Sequence, residues 1–78
     1  MNKKYTIKII SEEGTYYLVN GWNKRKTFWF NEKSVFEDVE NAKRFFFNKP
    51  SQAKASLTKL LKVMKEYKND NFELVEFE

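Results

Sequence analysis

The sequence predicts an α+β fold: an antiparallel sheet of about four strands, in the order β-β-β-α-α-β, with the helices packed on one face. Three observations lead there. The N-terminal segment alternates apolar and polar residues and holds both glycines. The middle carries apolar residues at helical spacing, once behind a capping signal and again behind the single proline. The last residues return to strand-forming alternation.

Each element follows from its residues. Tyr5-Thr6-Ile7-Lys8-Ile9 alternates as a half-buried strand does. Ser11-Glu12-Glu13-Gly14-Thr15 reads as a turn, with Gly14 supplying a positive φ. Tyr16-Tyr17-Leu18-Val19 closes a hairpin on the first strand. Asn20-Gly21 is a strong turn dipeptide and Asn23–Lys26 a loop tip, which places the third strand at Lys26–Asn31.

Ser34-Val35-Phe36-Glu37 fits a capping box, with Ser34 as the N-cap. Val35, Val39, Ala42 and Phe46 follow at i, i+4, i+7 and i+11, one helical face. Phe45 and Phe47 fall off that stripe, so the helix is expected to end near Arg44 or Phe46. The alternative breaks it early and makes Phe45–Phe47 a short strand. Pro50 opens a second helix over 51–68, because proline suits a first turn and disfavours helix at the residue before it. Its stripe is Ala53, Leu57, Leu60, Leu61, Met64 and Tyr67, with Lys54, Lys62 and Lys65 on or beside the opposite face. Lys68–Asn71 ends it, and Phe72–Phe77 forms the last strand.

A chain of 78 residues is one domain, 1–78. Its core is small, but aromatic residues make up 18% of the chain, and each buried ring removes about 150–250 Å² from water. The N-terminal apolar run is short and interrupted by Lys8, so it reads as neither a signal peptide nor a membrane span. A cytoplasmic protein without a membrane partner is expected. The net charge is +4, and only Arg25 and Arg44 among the cations are arginines.

The chain has no His and no Cys. That removes the commonest general base, the commonest metal ligand and the thiolate nucleophile. Two separated glycines make no phosphate loop. Glu37, Asp38 and Glu40 suit a first helical turn, where acids complement the dipole. A protein that is no enzyme and needs no metal or cofactor is expected.

Three surfaces are candidates for binding. The first is Trp22, Lys24, Arg25, Lys26 and Trp29: cations for phosphates and rings for stacking a base, or a solvated tip beside a strand. Alternation sends Phe28 and Phe30 to the core and Trp29 outward or into a cluster with Trp22 and Tyr17. The second is the lysine face of the last helix. The third is Phe45-Phe46-Phe47, an anchor if one ring is exposed.

The phrases Tyr5–Ile9, Tyr16–Val19, Asn41–Phe45, Ser51–Leu60 and Phe72–Phe77 resemble those of short proteins of phages and prophages from low-GC Gram-positive bacteria. Some members of that class inhibit bacterial defence nucleases, anti-CRISPR proteins among them, by occupying a surface. The resemblance implies a stoichiometric inhibitor whose partner is a host protein or nucleoprotein complex such as a Cas effector; it assigns no site residues. Tyr16–Val19 and Ala42–Phe45 are also similar to the N-terminal hybrid-binding domain of some ribonucleases H, but Thr27-Phe28-Trp29-Phe30 departs from the signature between those phrases. A nucleic-acid-binding module using the basic and aromatic loop is the second reading. Assembly through an exposed sheet edge is the third.

Overall fold

The computed structural model describes residues 3–20, 28–65 and 71–78. Lys4–Ser11 forms β1 and Gly14–Leu18 forms β2. The two pair antiparallel from Lys8↔Tyr17 to Ser11↔Gly14, leaving Glu12-Glu13 as the two-residue tip. Gly14 adopts φ +145°, which a Cβ would strain. The Ser11 hydroxyl donates to the Gly14 carbonyl at 3.0 Å.

β3, Trp29–Asn31, pairs antiparallel with β2. Asn71–Phe77 forms β4 and pairs antiparallel with β1 along its whole length. The sheet order is β3-β2-β1-β4. The α+β class and the four-strand antiparallel sheet therefore stand as the sequence predicts. Gly21, the Asn23–Lys26 tip, the start of the expected third strand and the end of the expected last helix lie outside the described residues.

The helices begin and break differently from the sequence reading. Glu32–Glu37 is α1, and its N-cap is Asn31, whose Oδ1 accepts the Ser34 N–H at 2.8 Å. Ser34 thus lies inside the first turn, and the expected capping box is replaced by a cap three residues earlier. Asp38, at φ −150° and ψ 75°, interrupts the helix and caps the next one. Its Oδ1 accepts the Asn41 N–H at 3.2 Å. Val39–Lys43 is α2. Pro50–Val63 is α3, with Pro50 in its first turn.

The helices lie on both faces of the sheet, which corrects the expectation of a single covered face. Successive strand residues point to opposite faces. One face presents Ile7, Leu18, Trp29 and Phe72, packed with Ala53, Leu57 and Leu60 of α3. The other presents Tyr17, Phe30, Val75 and Phe77, packed with Val35 of α1 and Ala42 of α2. Adjacent phenylalanines serve opposite cores: Phe46 belongs to the second cluster and Phe47 to the first.

The chain changes face through a notch between β1 and β2. Asn20 N–H donates to the Phe45 carbonyl at 2.7 Å, while Tyr5 and Phe47 exchange two backbone bonds of 2.8 Å. Phe47 makes a single bridge to Tyr5, one residue of the short strand offered by the alternative reading. Beside the notch, the buried Thr6 hydroxyl donates to the Leu18 carbonyl at 2.8 Å. A side chain here satisfies a backbone acceptor where the strands separate.

Candidate docking site

The second face of the sheet is covered unevenly. Val35, Ala42 and Phe46 close its centre. Toward the Glu12-Glu13 hairpin it opens: Ile10 is 41% exposed, and its register partners Thr15 and Asn71 stay partly or wholly in solvent. Phe36, on α1, is 58% exposed. Its ring lies 6.2 Å from that of Tyr17, tilted by 59°.

Tyr17 supports the exposed ring from below. It is buried, with Phe77 at 5.9 Å in an edge-on arrangement and Phe46 at 6.3 Å. The Tyr17 hydroxyl reaches Glu32 Oε2 at 3.5 Å, the long limit for a hydrogen bond. Burial, then the Glu32 carboxylate, then Glu73 hold the phenol neutral beyond its ordinary range. Glu37 and Glu73 are exposed nearby in sequence and register, against Lys8 opposite Glu73. An apolar ring on a firm support, with carboxylates around it, can seat a protein partner; it offers no nucleophile.

On the other flank of α1, Phe30, Ser34, Asp38, Asn41 and Ala42 line an open cleft of about 220 Å³. Its Asp38 carboxylate already caps α2. Among the described residues, no three Asp or Glu side chains gather as metal ligands. Among them, too, no helix is long and apolar enough to cross a membrane.

Of the residues expected to bind a partner, Trp22, Lys24, Arg25 and Lys26 lie outside the described residues. Trp29 is half-buried and packs against the Ile7–Leu18 cluster beneath α3. Because Trp29 pairs with Leu18 in the ladder, it points away from the face that Tyr17 occupies, so Tyr17 does not cover it. The three consecutive phenylalanines are not an exposed anchor. Phe46 and Phe47 are buried, and Phe45 meets Phe30 edge-on at 5.4 Å.

Phe36 and Ile10 are what the sequence reading missed. The signal for Phe36 was its position about 100° around the helix from Val35, off the apolar stripe. Lys54, Lys62 and Lys65, the predicted lysine face, are all exposed, and so is Lys59. Comparison with protein-family models, curated proteins and solved structures finds no match to this chain.

Proposed function

We propose that the protein is non-enzymatic and acts by stoichiometric binding, in its sharpest form as a phage-type inhibitor of a host defence complex such as a Cas effector. The observation that supports this reading is Phe36, an exposed ring held over the buried Tyr17. Aromatic side chains that are already ordered bind with little further entropy loss. The carboxylates of Glu32, Glu37 and Glu73 suit a partner patch that is apolar at its centre and basic at its rim.

The test is co-purification with, and inhibition of, the defence effectors encoded by the host. Wild-type protein is expected to inhibit one of them at a fixed stoichiometry. Phe36→Ala is expected to weaken that complex at least tenfold, while circular dichroism and the melting temperature stay close to wild type. Absence of inhibition of every such effector sinks the anti-defence form of the proposal. Full binding by Phe36→Ala removes this docking site.

A further inference from the structure

Lysines of α3 form a surface that the docking site does not use. Between Asn41 and Lys65 the sequence holds seven cations and no carboxylate. Within α3, Ala53, Leu57 and Leu60 fall within about 60° of arc and face the sheet. Lys54, Lys59 and Lys62 occupy about 140° on the outer side, all exposed. Lys54 and Lys62 stand about 12 Å apart along the axis. Among the described residues, none of these lysines has an ion-pair partner. The acids of α1 and α2 lie across the sheet, on the other face.

We infer that the outer face of α3 binds the phosphate backbone of a DNA duplex. A helix face with cations and no carboxylate attracts a polyanion and repels none of its charges. Duplex DNA carries one charge per about 1.7 Å of axis, so the 12 Å row of lysines meets several phosphates at once. Lysine contacts of this kind position a protein without reading sequence. The exposed residues of this face include no aromatic ring, which favours a duplex backbone over the stacked bases of a single strand. The surface is separate from Phe36, whose ring lies against Tyr17 on the other face of the sheet.

Fluorescence anisotropy with a labelled 20-base-pair DNA duplex tests the inference. Three lysine–phosphate contacts predict a log–log salt slope of about −2.7, a loss of about 40-fold in affinity from 50 to 200 mM salt. Lys54→Gln/Lys59→Gln/Lys62→Gln keeps helix-favouring residues, and circular dichroism verifies its fold. It is expected to lose at least tenfold in affinity at 50 mM salt and most of the slope. Phe36→Ala is expected to bind the duplex as wild type does, which separates this surface from the docking reading. The inference is overturned if wild type does not bind the duplex at 50 mM salt, or if the folded triple variant retains affinity and slope. Tighter binding to a single-stranded oligonucleotide than to the duplex also overturns it, and so does loss of binding in Lys24→Ala/Arg25→Ala/Lys26→Ala alone.

Discussion

Asn31 and Ser34 compete in the sequence for one role, and geometry decides between them. Both residue types cap helices, and the Glu37 three positions after Ser34 makes the later cap look complete. The earlier one wins because Asn31 ends β3 in extended geometry, at φ −73° and ψ 156°, and its side chain meets the Ser34 N–H. Asn31→Ala is therefore expected to cost about 1 kcal/mol in chemical denaturation, whereas Ser34→Ala changes stability by a few tenths. Equal losses would return the cap to Ser34. Tyr17 gives a second test. Its neutral form is favoured in the fold, with a pKa raised from 10.0. Its contribution to stability is therefore complete below pH 10 and falls as pH rises through the higher folded value. Tyr17→Phe is expected to show a shallower alkaline loss in urea denaturation between pH 9 and 11. An identical loss in both proteins would refute that role.

β1 and β4 were legible from alternation, whereas β2 begins two residues before the expected Tyr16 and ends at Leu18. β1 and β4 fall where Tyr5–Ile9 and Phe72–Phe77 placed them, extended by one or two residues. Of the predicted helical stripe, Val35, Ala42 and Phe46 are buried together, while Val39 is half-buried and Phe46 lies beyond the end of α2. The break within that stripe was not legible, because Asp38 is as compatible with a helix's first turn as with an N-cap. Nor does periodicity say which face of a sheet a helix covers. That depends on where the chain crosses, and the crossing rests on backbone bonds from Tyr5 and Asn20 that no residue type announces. For binding, spacing drew the eye to Trp29 and the phenylalanine triplet. The ladder puts Trp29 under α3, and the triplet is divided between two cores.

With α3 on one side of the sheet and α1 and α2 on the other, the charge of the molecule is sorted. Residues 28–40 hold four acids and one cation, with Lys43 at the end of α2 pairing with Glu40 at 3.0 Å, while the charged residues of α3 are all lysines. Helices on a single face would have set these charges beside one another to neutralise locally. Separated by the sheet, they make two surfaces of opposite character on a chain of net charge +4. Phe36→Ala and the α3 lysine variant should accordingly act independently, one on a protein partner and the other on DNA, with additive effects when combined.

The notch between β1 and β2 also ties the two cores in time. Phe45 and Phe47 are held there by Asn20 and Tyr5, so neither core can open far without releasing the bonds that anchor the other. The backbone amides of Tyr5, Asn20 and Phe47 come from three distant stretches of chain, yet they are expected to exchange with deuterium as one cooperative unit. Native-state exchange in low denaturant would show a shared opening free energy for all three. A Tyr5 amide that exchanges freely while Asn20 stays protected would mean that the two cores open separately.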